Sequence, residues 1–189
     1  MKVKYLLFVF TLIFIDQLVK YLVHVNMPIH SEILIIGDFF KLYHIENPGM
    51  AFGINFDYKY SKLILSIFRL FASVLIGVYL LNIIDKNKKS ILIISISLIF
   101  AGAIGNVIDS VFYGIIYNNA PFNAPFSLFN GQVIDMFYID IWEGYLHDSI
   151  PFLGGTYLSL WPVFNFADSF IFVGVSILFI FQNKLKNEY

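Results

Sequence analysis

Residues 161–182 read WPVFNFADSFIFVGVSILFIFQ, an apolar run whose one charged side chain is Asp168. A helix of about 20 such residues crosses the hydrocarbon layer of a bilayer. A carboxylate within it costs on the order of 3 kcal/mol on insertion scales, so its presence points to a task. Upstream, Val133-Ile134-Asp135-Met136-Phe137 sets another carboxylate among strongly apolar neighbours. The two phrases decide both the class of the fold and where to look for chemistry.

Outward from that run, residues 5–25, 61–84 and 90–114 are apolar over similar lengths. The whole chain is 59% hydrophobic and 13% charged, against roughly 45–50% and about 25% in a soluble domain. The expected fold is therefore an all-α integral membrane protein with four transmembrane helices, a single membrane domain over residues 1–189. Asp16, Gln17 and Lys20 interrupt the first run, and no small-x-small cleavage site follows it. It is expected to be a retained helix and not a signal peptide.

Lys2, Lys4, Lys86, Lys88, Lys89, Lys184 and Lys186 flank one side of these spans, and Lys41, Lys59 and Lys62 the other. The positive-inside rule then puts both termini and the 85–89 turn in the cytoplasm. Segments 26–60 and 115–160 face outward. In the first, Glu32–Ile36 and Phe39–Ile45 around Gly37-Asp38 predict a small hairpin on the membrane surface. The second is rich in Asn, Pro, Gly and aromatics and is expected to be mostly loop. The net charge of −1 gives no nucleic-acid footprint. Absence of Cys excludes disulfides and thiolate nucleophiles.

Several polar groups lie within or beside the spans. Asp16 and Lys20 are four apart and share a helix face, as an ion pair tying helices together or as support for a site. Arg69 is either a partner for a carboxylate or a snorkelling interfacial residue. Asn47-Pro48-Gly49 is a turn signal, with gripping of an extended peptide as the functional alternative. Ala101 and Gly105 form a small-xxx-small pair for close helix approach. Asn106 and Asp109 share a face, for a helix–helix hydrogen bond or for a site. In the last span, Pro162 suits an early helical position, which puts Asn165 and Asp168 on one face about two turns in. Asp135 can return to the same depth from the outer segment.

Two carboxylates that meet cannot both ionise easily, so the pair holds one proton. The ionised member then takes a proton from water while the protonated member donates to a scissile carbonyl, as in aspartic proteases. Such chemistry needs no metal and no cofactor. His24, His30, His44 and His147 form no HExxH pattern, and no G-x-S-x-G elbow is present. A proton-coupled carrier and a non-catalytic scaffold are the rival classes, since intramembrane Asp and Lys also mark ion paths.

Taken in order, the phrases resemble those of lipoprotein signal peptidase, the bacterial aspartic signal peptidase II. They are Asp16-Gln17 with Lys20; Asn47-Pro48-Gly49-Met50-Ala51-Phe52; Gly105-Asn106 with Asp109; Val133-Ile134-Asp135-Met136-Phe137; and Phe164-Asn165-Phe166-Ala167-Asp168. The resemblance implies that Asp135 and Asp168 are the catalytic dyad. It implies that Asn47, Gly49, Asn106, Asp109 and Asn165 shape the site or hold substrate, with Asp16 and Lys20 in support. The implied substrate is a diacylglyceryl-modified prolipoprotein, cut just before its lipidated Cys in the bacterial inner membrane, on the outer side. Globomycin-type inhibition, contact with membrane lipid, a monomeric state and a small outer β-cradle with a short surface helix are implied as well. Two departures stand out. Ser110 occupies a position where the family usually has Arg, so its charge partner is absent or supplied elsewhere. Outer inserts at about 115–132 and 140–160, with Trp142, Tyr145 and Tyr157, are expected at the lipid interface or over the site.

Overall fold

The computed structural model describes residues 2–49, 60–145, 147–149, 154–155, 157–159 and 161–186. Helices α1 (Lys2–Asn26), α2 (Ser61–Asp85) and α3 (Ser90–Ile108) follow three of the apolar runs. Beyond α3 the chain takes a π-helical turn (Asp109–Tyr113) and one last helical turn, α4 (Gly114–Ile116). The result is an apolar rod from Ser90 to Ile116 that, with α1 and α2, is long enough to cross a membrane.

The last apolar run departs from its expected start. Helix α5 spans Phe166–Ile180 and is followed by a short α6 (Gln182–Leu185). Residues 161–165 are not helical, because Phe164 is extended and bridges Phe137: the Phe137 N–H donates to the Phe164 carbonyl at 2.8 Å, and the Phe164 N–H donates to the Phe137 carbonyl at 3.0 Å. Asn165 then caps the helix: its side chain accepts from the Asp168 N–H, and Asp168 accepts from the Asn165 N–H. Such a reciprocal box satisfies two orphan donors and fixes where a helix begins. Pro162 is thus outside the helix, and Asp168 lies in its first turn, not two turns in.

Helix α3 is the hub, packed on α1, α2 and α5. Glycines allow the closest of these approaches. A Cβ on Gly102 would lie 2.2 Å from the Ala167 carbonyl oxygen, and one on Gly105 would lie 2.6 Å from Asp16 Oδ2. The close face therefore includes Gly102 besides the expected Gly105, and Ala101 is buried in the neighbouring apolar cluster. That cluster, with Tyr5, Val9, Leu80, Ile83, Leu92 and Ile93, fills one end of the bundle. The same end gathers the N-terminus, the 85–90 turn and α6: Lys2 pairs with Asp85 at 2.9 Å and Lys89 Nζ donates to the Lys184 carbonyl at 2.8 Å.

At the opposite end lies a three-stranded antiparallel sheet, β1 (Glu32–Ile36), β2 (Phe40–Asn47) and β3 (Val133–Ile139), in spatial order β1-β2-β3. The hairpin of the first outer segment forms as expected, with Gly37 in the turn at φ +50°. The second outer segment is more ordered than a loop. Val133–Ile139 is rich in β-branched and aromatic residues, which suit a pleated, largely buried surface, and pairs with β2 in a register that matches Ile45 to Asp135. A second hairpin joins β4 (Glu143–Tyr145) to β5 (Tyr157–Ser159). Among the described residues of the outer segments no separate surface helix is present; Met50, Ala51, Phe52 and Lys59 fall outside the described residues.

The insert at 117–132 folds back on the π-helical turn. A π-helical turn frees carbonyls from the regular ladder, and here Gly131 N–H donates to Ser110 O and Phe129 N–H to Val111 O, both at 3.0 Å. Phe122, Trp142, Tyr145 and Trp161 are exposed on this end, as interfacial aromatics are.

Candidate active site

Asp135 comes to the site on the middle of β3, with Val133, Ile134 and Met136 buried around it. It is only 2% exposed. Asn47 Nδ2 donates to its Oδ2 at 3.0 Å, and Asn165 Nδ2 to its Oδ1 at 2.7 Å. Burial, and then the negative charge of Asp168, push the Asp135 carboxyl up to about 7 from its ordinary 3.8. This group therefore retains its proton to far higher pH than an ordinary aspartate.

Asp168 reaches the same place from the first turn of α5 and is partly exposed. Asn106 Nδ2 donates to its Oδ1 at 2.9 Å, and the Asn165 N–H donates to its Oδ2 at 3.3 Å. Asn165 is the joint. Fully buried, it donates to Asp135, accepts from the Asp168 backbone at 3.0 Å, and directs the same amide toward Asn106 Oδ1 at 3.3 Å. The β-bridge between Phe137 and Phe164 is what brings residue 165 alongside residue 135.

Beneath this pair lies a charged layer. Lys20, without solvent exposure, pairs with Asp16 at 2.9 Å and Asp109 at 2.5 Å, and donates to Asn106 Oδ1 at 3.2 Å. Three acceptors around one ammonium use all its donors. Asp16 also accepts from the Ala167 N–H at 2.9 Å, so a carboxylate meets the N-terminus of α5 where the helix dipole favours negative charge. The ion pair of α1 thus ties α1 to α3 and α5 and, through Asn106, connects to Asp168.

Asn47 accepts from the Gly49 N–H at 2.8 Å, a side-chain-closed turn in which Gly49 adopts φ +102°. An L side chain there would be strained, and its Cβ would lie 2.3 Å from Leu65. The Asn-Pro-Gly phrase is a turn, and that turn aims an amide at Asp135. All nine residues singled out in the sequence are therefore linked by contacts running from Asp16 to Gly49.

Four more residues stand at the site beyond those nine: Gln17 and Arg69, both noted in the sequence, and Tyr113 and Lys62, which carry no motif there. Gln17 donates to Asp109 Oδ1 at 2.8 Å and accepts from the Tyr113 hydroxyl at 3.0 Å. Gln17 stood in a quoted phrase, but Tyr113 needed the π-helical turn to bring it round. Arg69 Nη1 donates to Ser110 Oγ at 3.0 Å, and its guanidinium lies in the field of Asp168, Asp109 and Asp135. A cation from α2 thus lies beside position 110. Lys62, expected in a solvated flank, is instead 5% exposed, and its Nζ has no hydrogen-bond partner among the described residues.

Residues 8–183 match the family model described as signal peptidase (SPase) II. Among curated proteins, the chain is 47% identical over 167 residues to a lipoprotein signal peptidase of Amoebophilus asiaticus (strain 5a2), covering 87% of this chain and 71% of the relative. It is 37% identical over 180 residues to one of Porphyromonas gingivalis (strain ATCC 33277), covering 89% and 78%. A solved bacterial membrane enzyme, studied by the in meso method at 2.3 Å, shares the fold with a TM-score of 0.65 at 24% identity, over 98% of this chain and 90% of that one.

Proposed function

Since the chain belongs to the signal peptidase II family, and is thereby a lipoprotein signal peptidase of the multi-pass membrane type, we propose that it cleaves by an aspartic mechanism at Asp135 and Asp168. The observation that carries this reading is the Asn165 side chain, whose amide holds Asp135 while its oxygen fixes the turn that presents Asp168. One buried, proton-retaining carboxyl and one more exposed carboxylate are what the reaction requires.

Asp168 takes a proton from a water molecule, and the water oxygen bonds to the scissile carbonyl carbon. Asp135 gives its proton to the carbonyl oxygen as the tetrahedral intermediate forms. Collapse breaks the C–N bond as Asp168 passes the proton taken from water to the leaving nitrogen and a hydroxyl of the intermediate returns a proton to Asp135. Asn47, Gly49 and Asn106 set the donors that hold the two carboxyls, while Asp109, Asp16 and Lys20 hold those donors in place. The substrate is a prolipoprotein carrying diacylglycerol on its lipobox Cys, cut just before that Cys, and globomycin-type peptides compete for the same groove. No cofactor takes part in these steps.

Residues 1–189 form one membrane domain, a monomer with α5 as the fourth span, both termini cytoplasmic and the sheet outside the bacterial inner membrane. The lysine-rich end that joins Lys2, Asp85 and Lys184 supports this orientation. Asp135→Asn and Asp168→Asn test the mechanism in a gel-shift assay on lipidated prolipoprotein. Each is expected to lower turnover by about 10³-fold, with thermal stability maintained. Substantial turnover in either variant sinks the dyad.

A further inference from the structure

On the far face of the sheet from Asp135, the structure gathers three side chains that the peptidase chemistry does not use. His24 lies one turn beyond Lys20 on α1. His44 and Glu46 alternate along β2, so they share a face, and Glu46 pairs with Ile134, not with Asp135. A ring nitrogen of each His and a carboxylate oxygen of Glu46 all lie within 4.8 Å of one another.

His44 is 1% exposed, and its Nδ1–H donates to the Met27 carbonyl at 2.8 Å. A carbonyl only accepts, so this bond fixes the tautomer that leaves a lone pair on Nε2. That Nε2 is buried and has no partner among the described residues, and neither has His24 Nδ1. Leaving a buried polar atom unsatisfied costs about 1–3 kcal/mol. The ring of His24 is held by stacking on Tyr117, with centroids 4.0 Å apart. Metal-binding imidazoles are oriented in this way, through a carbonyl bonded to the nitrogen away from the metal.

We propose that His24, His44 and Glu46 bind one divalent first-row transition ion, Zn²⁺ by preference, as a clamp between the outer end of α1 and β2. Two imidazoles and one carboxylate suit zinc and its neighbours, whereas Mg²⁺ and Ca²⁺ favour all-oxygen sets. Zinc at about 2.0–2.2 Å from each ligand draws the three atoms to about 3.4 Å of one another and leaves a fourth position for water. The clamp stiffens β2 one residue before Asn47, whose amide holds Asp135. It lies outside the reaction path and so stands apart from the aspartic mechanism.

Untagged protein in detergent, stripped with chelator, is titrated with zinc sulfate alone by calorimetry and by melting temperature. The expected result is about one zinc per chain with Kd on the order of micromolar or tighter. Saturation is expected to raise Tm by about 5 °C. Cobalt(II) in place of zinc should show the strong visible bands of a four-coordinate site. Glu46→Gln keeps the side-chain shape and is expected to weaken zinc by about 10–100-fold, as is His44→Gln, with metal-free Tm unchanged for the Glu46 variant. Wild type that binds no zinc below about 100 µM overturns the proposal, and so does unchanged affinity in Glu46→Gln.

Discussion

Helix α1 runs through two different interiors. Around Tyr5 and Val9 it meets Leu80, Ile83, Leu92 and Ile93, and shape alone decides the packing. One turn past Ile13 it enters a layer in which Asp16, Lys20, Asn106 and Asp109 are all buried. The first region gains from burial at roughly 25 cal/mol per Å² of apolar surface. The second must offset the desolvation of every charge, and does so only while each keeps its partners. Stability is therefore distributed at the apolar end and interdependent at the end that carries the aspartates.

Removing the hub of the charged layer should give the largest effect. Lys20→Met leaves Asp16 and Asp109 buried without their cation, a loss of about 3–5 kcal/mol. Adding Asp109→Asn to Lys20→Met should recover part of the melting temperature, because one uncompensated charge is gone. Activity should stay low in both. Equal Tm for the single and double variants would mean that the layer is not electrostatically coupled.

The apolar end supplies the matching experiment. Leu80→Ala, at a side chain 1% exposed, should cost about 2–4 kcal/mol by leaving a cavity. Its kcat at a temperature where it is folded should stay within about twofold of wild type, since no atom of the site moves with it. A tenfold fall in kcat would show that the two interiors are mechanically linked.

How much of this contrast was legible follows from the length scale of each signal. Three spans and the hairpin at Gly37 depend on runs of neighbours, and they stand where the residues predict them. The start of α5 was misread because Trp161-Pro162 resembles a helix opening, while the deciding signal was Asn165 with Asp168 three residues on, the two halves of a capping box. At strand β3 the local sequence predicts mostly loop, because its partner, β2, lies some ninety residues away. The nine candidate residues stand out through phrases whose order is a family pattern. Tyr113 and Lys62 have no local mark at all, and only the packing of α3 and α2 against the site brings them in.

Acidity separates the two ends as well. Between pH values near 3.8 and about 7 the folded protein holds a proton on Asp135 that the unfolded chain has released. The unfolded state binds fewer protons there, so stability falls as pH rises through that window and levels off above it. The full loss is on the order of 4 kcal/mol at most. Asp135→Asn should flatten the slope, measured as Tm against pH. Turnover of the wild type should fall above pH 7, where the proton needed by the carbonyl oxygen is gone. A pH-independent Tm difference between the two proteins would place the proton elsewhere.

The smallest expected effect concerns Arg69, which belongs to α2 yet serves the charged layer. Its guanidinium donates to Ser110, the position where the family resemblance leads one to expect Arg. Because the cation acts through the field at the carboxyls and not by contact with them, its loss should be modest. Arg69→Met is expected to reduce kcat by about tenfold with KM nearly unchanged. Arg69→Met combined with Ser110→Arg returns a guanidinium to the same layer from α3 and should restore most of the rate. Recovery by the exchange, with no recovery from Ser110→Ala in the same background, would separate the charge from the packing of α2. An Arg69→Met enzyme with full activity would instead confine the interdependent region to α1, α3, α5 and β3, and leave α2 wholly on the side of shape.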